Sequence, residues 1–535
     1  MTYYNIILIN VSYGNDILEK AAYFICLYCL FFSNINNSPH NSKVFKSIFT
    51  FSFFTGISRI LGLIRDMLIA TTIGATSLAD VFFSSFRFAN LFRAFFAEGA
   101  FTTSFIPLYS AESHDEKRAF DFASSVISFT FIFLVIFCFI TQFLFPYVVK
   151  IFAPGFDQSK IVLTIVLSRI MLPYVILVSI ASLIGGMLQV KEHFASTAIA
   201  PIALNLCIIT SLFLPYIETP AHNLSIGVVI GGALQLLVML FGAYKLKAAF
   251  SFSLKLTNEA KLFFKRVIPA ILNNCVTQIS VWIDTIMASF IPSAVSYIYY
   301  ADRLNQLPQG VVGVAIGTVL LPLISKQADD TESITKIQNR ALNIGLMLIL
   351  PITAAFLIIP DLILRTLFAY GAFDQHAIQQ TTPALMAFSL SLPAFIVNKV
   401  LLPTFFAKGN LKIPTIFSLI CLGINIVLNL LLMNRYQHTG IAIATSISTW
   451  INSALLINYL TTNKMYRVSK ALLLYIVKIL IATIVMSIVL YFRPEALLFD
   501  KAVIRLTTLI VLSVIIYFGT LYLIFRGNLD SLKHV

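Results

Sequence analysis

Apolar runs of about twenty residues follow one another from near residue 44 to near residue 525, divided by short polar breaks. A chain patterned this way has few ways to fold. Each run is long enough to cross a hydrocarbon layer as a helix. In lipid, a helix satisfies every backbone N–H and C=O within its own segment, which open strands cannot do. Of 535 residues, 59% are hydrophobic and 11% charged, against roughly 25% charged in a water-soluble chain. The expectation is an all-α polytopic membrane protein.

The runs predict fourteen transmembrane helices, at about 44–70, 80–108, 121–149, 161–190, 195–215, 223–246, 266–291, 295–324, 338–358, 381–407, 412–433, 438–461, 470–492 and 502–525. Residues 1–42 stand apart. Their apolar stretch "AAYFICLYCLFF" is too short to span, and it lacks the basic start and cleavage site of a signal peptide. They are expected to be an interfacial or disordered extension. Most of the six cysteines (26, 29, 138, 207, 275, 421) lie inside apolar runs without metal spacing, so they read as small core residues.

Lysine and arginine set the expected orientation. If the first helix starts in the cytoplasm, the internal connections hold seventeen basic residues, including Lys117, Lys261, Lys336 and Lys464. The external ones hold six: Lys150, Lys160, Arg365, Arg435, Arg493 and Lys501. Both ends of the helical core are then cytoplasmic. The net charge of +14 faces anionic lipid rather than nucleic acid.

A repeat runs through the chain. "FIPLYS" (105–110) ends the second predicted helix and "LLPLIS" (320–325) the eighth, with Arg87 twenty residues before Pro107 and Arg303 nineteen before Pro322. Six helices per unit give both halves one orientation, about an axis along the membrane normal. The expected domains are residues 43–262 and 263–462, two pseudo-symmetric six-helix lobes, then 463–535, a C-terminal helix pair.

Charges inside the spans are the next constraint, because each costs about 2.5–3.5 kcal/mol at mid-bilayer. In the first predicted helix, Thr55, Ser58, Arg59, Gly62, Arg65 and Asp66 fall within an arc of roughly 120°. In the second, Arg87, Asn90, Arg93 and Glu98 fall within roughly 140°. The eighth adds Asp302 and Arg303. Two polar faces held side by side would line a wet cationic cavity. Ion pairs locking helices together, such as Arg65 or Arg59 with Asp66, Arg93 with Glu98 and Arg303 with Asp302, are the plainer alternative. They leave an excess: five arginines (59, 65, 87, 93, 303) against Asp66, Glu98 and Asp302, with Asp80 at the outer boundary. Guanidinium matches phosphate bidentately and stays charged. The excess predicts an anionic cargo, most economically a phosphate or pyrophosphate.

A second constellation lies further along. Asn273, Thr277, Ser280 and Asp284 share about 60° of the seventh predicted helix. Asn425 and Asn429 share a face of the eleventh, and Thr445 enters at similar depth in the twelfth. One carboxylate with neutral oxygens suits a hard cation such as Na⁺. Ordinary interhelical hydrogen bonding is the other reading.

The stretches "SRILGLIRD", "ADVFFSSFRFANLFRAFFAEGAFTTSFIPLY", "APGF", "YYADRLNQLPQGVVGVAIGTVLLPLIS" and "FAYGAF" resemble the MurJ/MviN lipid II flippases of the multidrug/oligosaccharidyl-lipid/polysaccharide exporter superfamily. The resemblance spans about residues 44–525. It implies two lobes, a final helix pair forming a groove for a polyprenyl tail, and a function. That function is moving lipid II, an undecaprenyl-diphosphate-linked disaccharide-pentapeptide, from the cytoplasmic to the periplasmic leaflet of a bacterial inner membrane. Carried over by motif, Arg59, Arg65, Arg93 and Arg303 resemble the family's cavity arginines. Arg87 fills a basic position, and Asp66, Asp80 and Glu98 match acidic ones. A cation site of some relatives maps onto Asp284, Asn425, Asn429, the Ile441 backbone and Thr445, although Asn429 stands where an aspartate is expected. Alternating access is the implied mechanism. The chain is expected to act as a monomer among membrane lipids, with cell-wall synthesis proteins as possible partners, no nucleic acid, and no cofactor beyond a possible Na⁺.

Other functions remain in view. A multidrug or polysaccharide-lipid exporter of the same superfamily would share the fold, though cationic drugs would favour an acidic cavity. A prenyl-phosphate enzyme needs clustered acid–base or metal groups, whereas the seven histidines (40, 114, 193, 222, 376, 438, 534) are scattered. The sequence holds no GxxxxGK[ST] phosphate loop. A transporter, not an enzyme, is expected.

Overall fold

The computed structural model describes the backbone of residues 39–96, 100–327, 330–492 and 502–525, and side chains over most of that range. Residues 1–38, and with them most of the expected extension, lie outside the described residues, as does Glu98.

All regular structure among the described residues is helical. The first half runs α1 (Pro39–Ile73), α2 (Ser77–Phe96), α3 (Ala100–Glu112), α4 (Glu116–Phe152), α5 (Gln158–Met171), α6 (Pro173–Val190), α7 (Ala195–Ser211) and α8 (Pro220–Lys245). The second half runs α9 (Asn258–Ser289), α10 (Ala294–Pro308), a π-helical turn (Gln309–Gly313), α11 (Val314–Ser325), α12 (Thr331–Ile358), α13 (Pro360–Phe368), α14 (Gln375–Ser389), α15 (Leu392–Ala407), α16 (Lys412–Thr462), α17 (Lys470–Phe492) and α18 (Ala502–Phe525). Side-chain caps fix several starts. Asp115, Asp157, Thr257, Asp330 and Asp374 each accept from backbone N–H groups of the turn that follows, satisfying donors the helix itself cannot.

Several expected spans are interrupted, each for a local reason. The run at 161–190 is two helices, because Pro173 opens α6 in place of continuing α5. The run at 295–324 carries the π-helical turn between α10 and α11. The run at 381–407 divides into α14 and α15 ahead of Pro393. The runs at 412–433 and 438–461 are two helices, as expected, following each other without a loop and broken within α16 by the non-helical Gln437 (φ 51, ψ −135).

Among the described residues, eight helical stretches are long and apolar enough to cross a membrane: Glu116–Phe152, Gln158–Val190, Pro220–Lys245, Thr331–Ile358, Gln375–Ala407, Lys412–Thr462, Lys470–Phe492 and Ala502–Phe525. Helices α1, α2, α9 and α10 carry the buried charges and polar residues discussed below. Their apolarity is diluted by the groups that make the site.

Within the first half, α7 packs on α1 and α8, and α6 on α8; in the second, α12 packs on α15 and α17, α10 on α14, and α9 on α16. The halves meet where α1 to α4 touch α9, α10 and α13. One end of this seam is tightly interlocked. Gly74 (φ +62) sits against the Ala372 carbonyl and Gly371 (φ +61) against the Thr71 carbonyl, each too close for a Cβ. Both therefore need glycine for space and for backbone conformation. Ala372 N–H donates to the Thr71 carbonyl (2.8 Å), Tyr300 Oη to the Gly74 carbonyl (2.9 Å) and Gly155 N–H to Ser289 Oγ (3.1 Å).

Candidate functional site

A cavity of about 900 Å³ opens between the halves, lined by α1, α2, α6, α7, α8, α9 and α10. Sequence reasoning singled out Arg65, Arg87, Arg93, Asp302 and Arg303, and all five line it. Arg59 does not. Its guanidinium lies against Gly310 in the π-helical turn, where an added Cβ would collide with it.

At the centre is Asp66, 2% exposed. Arg65 donates to Oδ1 through Nε (3.0 Å) and Nη2 (2.7 Å), and Arg303 faces Oδ2 at 3.2 Å. Tyr299 Oη donates to Oδ1 at 3.3 Å and accepts from Arg303 Nε (3.1 Å) and Nη2 (3.0 Å). One carboxylate thus holds two guanidiniums from opposite halves. The sequence pairing of Arg303 with Asp302 is not what forms. Arg303 turns to Asp66 and Tyr299 across the seam, while Asp302 accepts from Gln306 Nε2 (2.6 Å).

Tyr299 organises the rest. Its ring stacks on Phe83 with centroids 3.7 Å apart, and the guanidiniums of Arg303 (5.0 Å) and Arg87 (5.9 Å) lie over it, within cation–π range. Arg87 Nη1 also donates to Thr285 Oγ1 on α9 (2.5 Å), and Arg93 Nε to Asn90 Oδ1 (3.0 Å). Asn205 accepts from Arg65 Nη1 (2.9 Å) and donates to the Ser58 carbonyl (3.1 Å), tying α7 to α1. Tyr299 and Asn205 escaped the sequence reading. An isolated amide in "IALNLCII" was the available signal for Asn205. Nothing in a tyrosine pair marks Tyr299.

Among the described residues, four guanidiniums (65, 87, 93, 303) and one carboxylate, Asp302, line this space, with Asp66 buried behind Arg65 and Arg303. The wall carries surplus positive charge in a setting where each charge is costly, which suits an anion with several oxygens.

Asp80, expected as a cavity acid, is not among the lining residues. It is fully buried at the seam. Oδ1 accepts from Ser296 N–H (3.0 Å) and Ser296 Oγ (2.9 Å), while Oδ2 faces Lys160 Nζ at 3.5 Å, an ion pair without a hydrogen bond. A carboxylate here caps the first turn of a helix from the other half, which favours negative charge. Its role in the fold is a latch.

The second constellation does come together. Asp284 accepts from Asn429 Nδ2 at Oδ1 (2.9 Å) and from Thr445 Oγ1 at Oδ2 (3.0 Å). Asn429 Nδ2 also donates to Asn425 Oδ1 (3.1 Å), and Thr445 Oγ1 to the Ile441 carbonyl (3.1 Å). Asn429 Oδ1 is buried with no partner. One carboxylate with neutral oxygens is the ligand type a hard cation takes, while the contacts that form here are hydrogen bonds. Side chains of Asn273 and Thr277 lie outside the described residues.

Comparison with known proteins adds to this geometry. The family profile described as "Lipid II flippase MurJ" matches residues 69–512. A probable lipid II flippase MurJ of Rickettsia prowazekii is 35% identical over 91% of this chain and 99% of its own length. The lipid II flippase MurJ of Burkholderia cenocepacia is 30% identical over 90% and 97%. Among solved structures, a lipid II flippase MurJ in an inward closed conformation superposes with a TM-score of 0.78 at 26% identity, covering 89% of this chain and 99% of that one. A multidrug resistance MATE family transporter in an inward-facing conformation shares the fold alone, with a TM-score of 0.64 at 13% identity over 76% and 95%.

Proposed function

We propose a mechanism from one premise: the chain belongs to the lipid II flippase MurJ family, and is a multi-pass membrane transporter of lipid II, not an enzyme. The family resides in the bacterial inner membrane. In the proposed mechanism, the pyrophosphate and headgroup enter the cavity while the polyprenyl tail stays in lipid, along a groove formed with α17 and α18. The guanidiniums of Arg65, Arg87, Arg93 and Arg303 take the pyrophosphate oxygens. Opposed movement of the two halves then exposes the cargo to the other leaflet, driven by membrane potential or an ion gradient. Arg303, which links Asp66 to the second half, would report cargo binding to both.

We read fourteen transmembrane helices into this fold, six in each of the lobes 43–262 and 263–462 and a final pair beyond them. Nine come from the eight long apolar stretches, with Lys412–Thr462 counted twice across Gln437; the rest are α1, α2 with α3, α7, α9, and α10 with α11. The lysine and arginine bias supports cytoplasmic ends for the core.

The observation that carries the cargo assignment is the surplus of guanidiniums around Asp66 on the cavity wall. Its test is rescue of cells depleted of their own lipid II flippase. Arg93→Ala and Arg303→Ala, shown to insert, are expected to lose rescue that the unaltered chain gives. Full rescue by both would reduce these arginines to structural pairs.

For Na⁺, Asp284, Asn425, Asn429, Thr445 and the Ile441 carbonyl would hold the ion, which would supply charge tying α9 to α16. With one carboxylate the site should be weak, since affinity for hard cations follows ligand charge. Replacing choline chloride with NaCl is expected to raise the thermal unfolding midpoint slightly in the unaltered protein and more in Asn429→Asp. Equal midpoints in both salts for both proteins would exclude the site.

A further inference from the structure

The cavity has a second wall, and its chemistry differs from the first. It is built by α6, α7 and α8. From Pro173 to Val190 and from Ala195 to Ser211 the sequence contains no acidic or basic side chain, and in Pro220–Lys245 His222 and Lys245 sit at the ends. Small residues keep this wall open to the cavity: Ala181, Gly185 and Ala200 line it. A Cβ on Gly185 would press on Thr197 Cγ2 at 3.1 Å. The helices are packed to contact there, so the space in front of them is shaped rather than loose.

Two amides stand on this neutral surface, Gln189 on α6 and Gln235 on α8. Gln235 is 6% exposed, and its Oε1 has no hydrogen-bond partner. A buried acceptor left unmade is costly, so a small turn of the Gln235 side chain toward the cavity it lines, where a ligand's N–H or O–H could reach the oxygen, is favoured. Asn205 is different: both ends of its amide are committed to Arg65 and Ser58.

We propose that this wall is a saccharide subsite, in which Gln235 and Gln189 read the hydroxyl and acetamido groups of the cargo's N-acetylated sugars. The inference rests on the flippase reading above and adds to it which part of the cargo each wall meets. A side-chain amide pairs with an acetamido group in both directions, donating N–H to its carbonyl and accepting its N–H. An uncharged wall discriminates against carboxylates and phosphates, which the arginine wall takes. The cargo is then oriented by charge at one end and by neutral hydrogen bonds at the other. A site built to hydrogen-bond a polar group also rejects cargo lacking it, because its own groups are left unpaired.

The test uses the full chain in nanodiscs, titrated separately with lipid II and with undecaprenyl diphosphate, which shares the tail and pyrophosphate but carries no sugar. Gln235→Leu, similar in volume, is expected to weaken lipid II binding roughly fivefold to tenfold, the size of one lost buried hydrogen bond. Binding of undecaprenyl diphosphate should change less than about twofold. Arg303→Ala should weaken both. Gln189→Leu, at a half-buried position, should show the Gln235→Leu pattern in milder form, and carries the test if Gln235→Leu does not fold. Equal losses for both lipids, or no loss for either, would overturn the subsite. If the unaltered protein bound neither lipid, the cargo assignment itself would fail.

Discussion

Asp66→Ala is expected to abolish rescue of flippase-depleted cells, as Arg303→Ala does, and to destabilise the fold more than loss of either arginine partner alone. The reason is the number of groups that depend on it. Asp66 holds Arg65 at 2.7 Å and Arg303 at 3.2 Å, and accepts from Tyr299. Its side chain is 3% exposed and that of Arg65 is 7% exposed. Removing one partner of a buried ion pair costs about 3–5 kcal/mol, because the other charge is stranded. Here two guanidiniums are stranded, one in each half. Asp66→Asn preserves shape and one acceptor but not charge, so it should fall between. The double variant Asp66→Ala/Arg303→Ala separates structure from transport. It removes one stranded charge with its counterion, so thermal stability should recover in part while rescue stays absent. Full rescue by a well-inserted Asp66→Ala would show that the cluster carries neither role.

Much of this cluster was legible in the sequence, and the limits are physical. Arginines inside apolar runs announce themselves, because hydrocarbon makes each one expensive. Helical spacing put Arg65 and Asp66 on one face, and Arg87 with Arg93 on another; the three arginines do meet in one cavity, with Asp66 buried behind Arg65 and Arg59 elsewhere. Spacing within a helix cannot say which helix lies opposite. That Asp66 is shared by Arg303, 237 positions later, is a property of packing. The same limit explains Asp80. Near a helix start it looks like a boundary residue, and only the approach of Ser296 from the other half makes it a cap. The glutamine wall was illegible for another reason. A lone glutamine in an apolar run is ordinary until burial shows its oxygen without a partner.

Helix boundaries show where periodicity fails. The expected helix at 161–190 is broken at Pro173, and that at 295–324 carries a π-helical turn. Hydropathy reports membrane depth, and neither break changes it. The second break falls where the Arg59 guanidinium of the first half packs against Gly310 of the second, a position with no room for a Cβ.

Asp80→Ala is expected to loosen the seam, with a distinct signature. Asp80 caps α10 through Ser296 and faces Lys160, whose side chain is 14% exposed. Loss of a cap costs about 0.5–2 kcal/mol, and a stranded Lys160 adds to it. Such a change, on contacts made in one arrangement of the halves, shifts their equilibrium roughly fivefold to thirtyfold per 1–2 kcal/mol. It should therefore alter conformation more than folding. A cysteine at Ala294, fully buried beside the latch, reads this out in a background lacking the native cysteines. Labelling by a membrane-impermeant maleimide added outside the cell should rise when Asp80→Ala is combined with Ala294→Cys. It should stay low with Asp80 intact, and return toward low when Asp80→Asn restores one acceptor for the Ser296 N–H. Rescue should fall in the same order, since a seam that cannot close leaves the cycle without one of its two states. Unchanged labelling with full rescue would mean that the interlocked glycine turns at Gly74 and Gly371 hold this end without the latch. The polar contacts would then be a consequence of closure rather than its cause.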